Sequence, residues 1–352
     1  MNRRQFIAAL PALAAARAVL ADAGAARCRL GICTFSCHQH WRAVASGDDA
    51  AKSKFHDAVG FYRYARELGA EGVQTALPAG NAEQAKRMRA AVEVDGGYYE
   101  GDLRLPRSDS DVAGFEAAVG LHRDAGAAVA RAVFTSGRRY EVFKTMDEFR
   151  SFTAQAEKSL RLAEPVLRRH RLRLAMENHK DHTAEELAAL MRRIGSEWIG
   201  VLVDTGNNLA LLEEPRETLR VLAPFVLSVH LKDMAVQPHD DGFLLSEVPL
   251  GTGALDIPLV VRTLAEAKPG IVFNLEMATR DPLRVPCRTE AYFATLPGHR
   301  GTRAEAMLRW VHEHPPMQPP PTVTGKPRAQ VLEEEETHNR QSLDWMKSRK
   351  LP

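Results

Sequence analysis

Cysteine is scarce in this chain of 352 residues, and the four present, Cys28, Cys33, Cys37 and Cys287, include no Cys-x-x-Cys spacing. That argues against a structural zinc knot. A disulfide among the first three is left open, and buried free thiols are the simpler reading. Long hydrophobic runs are also missing. The Ala-rich stretch Ala8–Ala21 is short and broken by Arg17, and no other segment approaches eighteen apolar residues. A stable membrane span is therefore not expected. Nor is there a large excess of either charge. The formal net charge is +2, which gives no electrostatic reason to expect a nucleic acid or an anionic membrane as partner. The basic cluster Arg168–Arg173 reads as a solvated helix end. No short repeat is present beyond an alternation of strands and helices.

Apolar residues make up 45% and charged residues 26%, the balance of a globular protein with a real core. The length suits one domain of about 250–300 residues with an extension at each end. At the amino terminus, Asn2-Arg3-Arg4-Gln5-Phe6-Ile7 resembles a twin-arginine export motif. The weakly apolar run follows it, and then small-residue cleavage sites at Ala21-Asp22-Ala23 and Ala23-Gly24-Ala25. Residues 1–26 are thus expected to be an export signal, which places the mature protein in the periplasm or outside the cell.

From Arg29 onward short apolar runs alternate with helical patterns. Strands are expected at Leu30–Phe35, Gly72–Ala76, Ala128–Thr135, Leu172–Asn178, Ile199–Asp204, Val226–Leu231 and Ile271–Met277. One more is expected between Val92 and Leu105. Helices are expected at Lys54–Leu68, Asp111–Ala125, Met146–Arg169, Thr183–Ile194, Glu214–Ala223 and Ile257–Ala267. Thr183 and Glu186 carry the spacing of a capping box. Eight strand-helix units specify an α/β fold with a parallel sheet, and pattern alone leaves a closed barrel and an open sheet both standing. Residues 27–314 form this domain. Beyond it, His314–Thr322 is rich in proline and reads as an extended linker. A charged helix is expected over Ala329–Lys350, with Leu332, Trp345 and Met346 as anchors on the barrel or on a neighbouring copy.

Four late strands each end in a side chain able to bind a cation: Glu177, Asp204, His230 and Glu276. They stand 27, 26 and 46 residues apart. The first two intervals are single strand-helix units, and an inserted loop around Val236–Gly253 lengthens the third. Strand alternation puts Ala175, Leu202 and Ser228 on the same inward face just below three of them. An acidic side chain in an apolar strand is costly unless paired or liganded. Four in consecutive units point to one hard, partly nitrogen site for Mn²⁺, Mg²⁺, Co²⁺ or Zn²⁺.

The pieces Glu177-Asn178-His179, Val203-Asp204-Thr205-Gly206-Asn207, His230-Leu231-Lys232-Asp233 and Leu275-Glu276-Met277 resemble the sugar phosphate isomerase/epimerase family of xylose isomerase-like TIM barrels. The resemblance spans residues 29–313. It implies a (β/α)8 barrel in which Glu177, Asp204, His230 and Glu276 hold one divalent metal ion. It also implies that Glu177 and Glu276 exchange substrate protons from opposite faces. Gly251–Asp256 is similar to the family's Gly-x-Gly-x-x-Asp element and is read as structural.

This chain departs from the family in places. Asn207 stands where ketose epimerases carry histidine, and no arginine occurs in Asp233–Gly242. Asn207 likewise removes a ligand that the apurinic-endonuclease branch requires. His179 and Lys180 extend from the fifth strand towards a substrate site, with loop surface and helix capping as their alternative role. His38 and Trp41 follow the first strand, where sugar stacking and loop packing are equally compatible. His239-Asp240-Asp241 reads as solvated surface.

A metal-held carbonyl beside a hydroxyl acidifies the neighbouring C–H, and a carboxylate can take that proton through an enediolate. The expected function is therefore a metal-dependent sugar isomerase or epimerase. Two alternatives stand beside it: a 3-keto-glycoside lyase that follows the same enolisation with β-elimination, and a non-catalytic, metal-containing carbohydrate-binding barrel. The expected partner is a small carbohydrate, with a homo-oligomer left open.

Overall fold

The computed structural model describes residues 28–349. The expected export signal lies outside the described residues. Eleven strands are present among them: β1 (Arg29–Cys33), β2 (Gly72–Thr75), β3 (Tyr98–Asp102), β4 (Val129–Ala132), β5 (Arg173–Glu177), β6 (Ile199–Asp204), β7 (Val226–Leu231), β8 (Asp233–His239), β9 (Gly242–Val248), β10 (Val272–Leu275) and β11 (Leu283–Val285). Eight of them close a barrel in the order β1-β10-β7-β6-β5-β4-β3-β2. Every pairing around it is parallel. The protein is a (β/α)8 barrel, as expected.

Local chemistry sets the helix boundaries. Thr145 with Glu148, and Thr183 with Glu186, form capping boxes at the helices Met146–His170 and Ala184–Ile194, satisfying orphan amides of the first turn. Pro215 opens the helix Pro215–Leu222, where its missing N–H costs nothing. The expected helix Lys54–Leu68 starts later, at Ala58, and a separate helix, Asp49–Lys54, precedes it. Asp57 separates them by accepting from Gly60 N at 2.7 Å, so a new N-cap ends the continuous pattern. The weak expectation between Val92 and Leu105 is met by β3.

The inserted loop is not a loop. β8 and β9 form an antiparallel hairpin, and β11 adds a third strand to β9. His239 and Asp241 pair at its tip, 2.6 Å apart. Asp233 anchors the return to the barrel. Its carboxylate accepts from the amides of Gly251 and Gly253 at 2.9 Å and Leu255 at 3.1 Å, which gives the Gly251–Asp256 stretch its structural role. A Cβ on Gly253 would lie 2.2 Å from that carboxylate.

The carboxy-terminal helix, Arg328–Arg349, packs on its own barrel near the end of β1. Glu335 accepts from Gln39 N and His40 N at 2.7 and 3.0 Å, and Asn339 donates to Ser36 O at 2.8 Å. No helix among the described residues is long and apolar enough to cross a membrane. All four cysteines are free thiols.

Candidate metal centre and active site

Parallel register brings the late-strand residues together. Asp204 pairs with His230, and His230 pairs in turn with Asn274. Paired residues of adjacent strands share a face, so these three side chains point inward, and Glu276, two residues beyond Asn274, does the same. Glu177 lies opposite Leu202, two residues before Asp204, and enters the same space. Glu177, Asp204, His230 and Glu276 are all buried. One donor atom from each lies within 4.8 Å of the others. His230 Nδ1 is 2.5 Å from Glu276 Oε2, 3.6 Å from Glu177 Oε2 and 3.9 Å from Asp204 Oδ2.

The donors fit a divalent cation on their own chemistry. His230 Nδ1 and Asp204 Oδ2 are buried and make no hydrogen bond, although ionic neighbours lie close to both. Buried polar atoms are rarely left that way, and here both face the shared centre. Below them a polar network fixes the imidazole. The Glu100 carboxylate accepts from Ser228 Oγ at 2.6 Å and from Gln74 Nε2 and Asn274 Nδ2 at 2.8 Å. With its amide nitrogen committed there, Gln74 turns Oε1 to His230 Nε2 at 2.6 Å. That contact makes Nε2 an N–H donor, so that once Nδ1 gives up its proton its lone pair is free for a metal, an outer-shell arrangement typical of metal-binding histidines.

Buried cations balance the carboxylates. Lys232 is 1% exposed and lies 2.8 Å from Asp204 Oδ2 and 3.0 Å from Glu276 Oε1. Arg131 Nε lies 2.6 Å from Glu177 Oε2, and its Nη1 2.9 Å from Asp102 Oδ2. Burial opposes ionisation of Glu177, but the Arg131 guanidinium outweighs it and holds the carboxyl down to about 2. Burial likewise opposes the charge on Glu276, which Lys232 and His230 nonetheless keep well below the ordinary range. At Asp204 burial wins over Lys232 and raises the carboxyl to about 6. Asp204 is thus the carboxylate with most to gain from a cation.

The other expected residues divide. Asn207 is fully buried and donates to Glu177 Oε1 at 3.2 Å. Its Oδ1 accepts from Lys232 Nζ at 3.0 Å and also from Lys180 Nζ. Lys180 is buried, and burial lowers it to about 8, helped by Lys232. Its backbone sits at φ +64°, left-handed for a non-glycine residue, held by Arg139 N donating to its carbonyl at 2.9 Å. His179 Nε2 lies 4.0 Å from Glu177 Oε1, and its buried Nδ1 has no partner. These three join the cluster. His38 stacks on Phe35 with ring centroids 5.2 Å apart and lies 3.6 Å from Glu335. Trp41 packs edge-on against Phe55 and Phe61. Its contacts are those of a packing residue, and the aromatic left exposed after β1 is Phe35, at 43%.

Gln74, Glu100, Arg131 and Asn274 were missed by the sequence reading. Arg131 alone carried a signal, a lone charge in the apolar run Ala128–Thr135. A further arginine, Arg280, is tied to the cluster through Glu247. It follows β10 and grips Glu247 through Nε and Nη2, at 3.0 and 2.5 Å, and Glu247 Oε1 in turn lies 3.6 Å from Lys232 Nζ. A cavity of about 540 Å³ opens beside the cluster, reaching it through Arg131. Phe134, Phe143, Phe152, Arg104 and Arg107 line it.

The four-donor acidic and imidazole cluster lies at the carboxy-terminal mouth of a (β/α)8 barrel, the end at which active sites of this fold are built. The chain belongs to the xylose isomerase-like TIM barrel family, whose model matches residues 62–313.

Among curated relatives, a 3-oxo-isoapionate decarboxylase of Pectobacterium atrosepticum is 31% identical over 107 residues, 30% of this chain and 39% of that protein. The uncharacterised protein YihM of Escherichia coli is 25% identical over 141 residues, 40% of each chain. The chain therefore matches about two fifths of the length of these relatives.

Solved structures share the fold. A D-psicose 3-epimerase has TM-score 0.56 and 14% identity, over 92% of this chain and 99% of that one. A D-allulose 3-epimerase from Methylomonas sp. has TM-score 0.53 and 11% identity, over 92% and 98%. A xylose isomerase domain protein from Alicyclobacillus acidocaldarius has TM-score 0.51 and 18% identity, over 73% and 95%.

Proposed function

We propose that this protein is a metal-dependent enzyme that forms an enediolate from an oxo sugar by moving a proton beside the carbonyl. The observation that carries the reading is the cluster of Glu177, Asp204, His230 and Glu276, with donor atoms all within 4.8 Å. These four residues would hold one Mn²⁺, Mg²⁺, Co²⁺ or Zn²⁺ ion. When bound, such an ion supplies Lewis-acid polarisation of the carbonyl and its neighbouring hydroxyl.

The chain's own groups do the rest. Glu177 and Glu276 enter from separate strands and are both held ionised, so each can accept a proton from a carbon placed between them. Arg131 keeps Glu177 in its basic form and fixes its orientation. Lys232 does the same for Glu276. Lys180, tied to Asn207, would offer N–H donors to substrate oxygens, and a proton returned to another carbon or face gives isomerisation or epimerisation. Near-complete burial of both carboxylates excludes bulk water, which strengthens these contacts.

A second reading is favoured by the likeness to the decarboxylase. Breaking the bond from an α-carbon to a carboxylate releases CO₂ and leaves the electron pair in the same enediolate, which is then protonated. Arg104 and Arg107 beside the cavity suit an acidic substrate of this kind.

The test is proton NMR in D₂O of free oxo sugars, 3-keto-glycosides and 3-oxo sugar acids with metal-loaded protein. Exchange at the carbon beside the carbonyl, abolished in Glu276→Gln and Glu177→Gln, supports enolisation. Loss of the carboxyl carbon supports decarboxylation. A bound sugar with no exchange and no product would instead indicate a carbohydrate-binding barrel.

A further inference from the structure

The β1 residue that faces the metal-type cluster is a cysteine. Cys33 closes β1 and is 2% exposed. Its register partner on β2 is Gln74, the residue that orients His230, so both side chains enter the barrel. Cys33 Sγ lies 3.8 Å from Glu276 Oε2. Sγ, a His230 ring nitrogen and a Glu276 oxygen all lie within 4.8 Å of one another.

A thiol is a weak donor, and this contact does little as a hydrogen bond. It is, however, the spacing of two donors in one coordination shell. With metal–oxygen bonds of about 2.1 Å and metal–sulfur bonds of about 2.3 Å, neighbouring donors stand roughly 3.1–3.8 Å apart at angles of about 90–120°. A second observation points to the same centre: His230 Nδ1 and Asp204 Oδ2 are buried, make no hydrogen bond and are turned into this space, with only ionic neighbours beside them. Arg131, Lys180 and Lys232 bring three basic side chains to the cluster. These cations balance the three carboxylates, so the charge of a fourth anionic donor would be offset by the bound dication itself.

We propose that Cys33 is a fifth, sulfur ligand of the cation held by Glu177, Asp204, His230 and Glu276, an inference that rests on the metal reading above. On binding, the S–H bond breaks, the proton leaves to solvent, and the sulfur pair forms the bond to the cation. Nothing is oxidised or reduced. A thiolate turns a hard oxygen-nitrogen set into a mixed one, and selects Zn²⁺ or Co²⁺ over Mg²⁺.

The experiment loads the full chain with Co²⁺, counts the bound metal by equilibrium dialysis and records the absorption spectrum. The wild type is expected to bind one equivalent and to show a sulfur-to-cobalt charge-transfer band in the near ultraviolet. Cys33→Ser should keep the visible cobalt bands and lose the charge-transfer band, while Cys37→Ala keeps both. Zn²⁺ affinity should fall about tenfold or more in Cys33→Ser, with Mg²⁺ affinity changed less than about threefold. One equivalent of cobalt without a sulfur band in the wild type overturns the inference and leaves the metal site standing, whatever the variants do. A wild type that binds no cobalt, zinc or magnesium overturns both.

Discussion

Arg131 and Glu177 form a buried ion pair across adjacent strands of the barrel, Nε to Oε2 at 2.6 Å, with the arginine side chain 17% and the glutamate 1% exposed. The guanidinium occupies one oxygen of a carboxylate whose other oxygen accepts from Asn207. Its removal strands a charge inside the barrel. Arg131→Met should therefore destabilise the metal-free protein by about 3–5 kcal/mol, measured by denaturant unfolding. Saturating Mn²⁺ should recover part of that loss, since a bound dication restores a positive charge next to Glu177. An unchanged metal-free stability would show that the pair does not hold Glu177 in place.

Trp41 and Phe35 separate packing from binding. Trp41 lies against Phe55 and Phe61 with centroids 4.9 and 5.8 Å away, and Phe35 is exposed beside the Arg280 guanidinium. Trp41→Ala should cost about 3 kcal/mol of stability and leave KM within about threefold. Phe35→Ala should do the reverse, leaving unfolding nearly unchanged and raising KM by roughly tenfold, as loss of a stacking surface does. The opposite pattern would restore Trp41 as the sugar platform.

The residues legible in the sequence were those standing out from their surroundings. Glu177, Asp204, His230 and Glu276 each end an apolar strand in a polar side chain, and the repeat spacing links them. Asn207 and Lys180 were reachable because they adjoin these ends. Gln74, Glu100 and Asn274 were not. Each is a polar residue within a short strand, and only barrel closure brings β2, β3, β7 and β10 round to one network. The hairpin of β8 and β9 was hidden for another reason. Its pattern was interrupted by Pro238 and by the polar His239-Asp240-Asp241 tip, so it read as a loop. The helix Ala82–Asp95 was overlooked because most of its residues are polar or exposed, which blurs its apolar stripe.

The carboxy-terminal helix carries a pH dependence. Burial raises the Glu335 carboxyl to about 8, and the Gln39 and His40 amides offset that only in part. His38 lies 3.6 Å away. A carboxyl whose folded value exceeds its unfolded value of about 4.3 makes the folded state bind the extra proton between the two. Its contribution is full below the unfolded value and is lost as pH rises through about 8. The stability of wild type relative to Glu335→Gln should thus decline between about pH 5 and pH 8, by an amount on the order of a few kcal/mol. Thermal melts of both proteins across that range check it. Parallel curves would show that Glu335 stays ionised throughout.

Export is proposed from Arg3-Arg4 and the cleavage sites that follow. Replacing both arginines with lysine preserves charge but removes the pair a twin-arginine receptor would read. The wild type should be recovered outside the cytoplasm, beginning near Asp22–Arg27, and the double lysine variant should be retained. Fractionation with amino-terminal sequencing decides it. A cytoplasmic wild type starting at Met1 would contradict the proposal and bring sugar phosphates back as candidate substrates.

The central claim is that Glu177, Asp204, His230 and Glu276 bind one cation, and anomalous diffraction from crystals grown with Mn²⁺ tests it most directly. The account predicts one strong anomalous peak at the carboxy-terminal mouth of the barrel. It should have an oxygen from each carboxylate and His230 Nδ1 within about 2.0–2.5 Å. A peak bound elsewhere, or a fully loaded crystal in which two of the four side chains turn away from the metal, would contradict it.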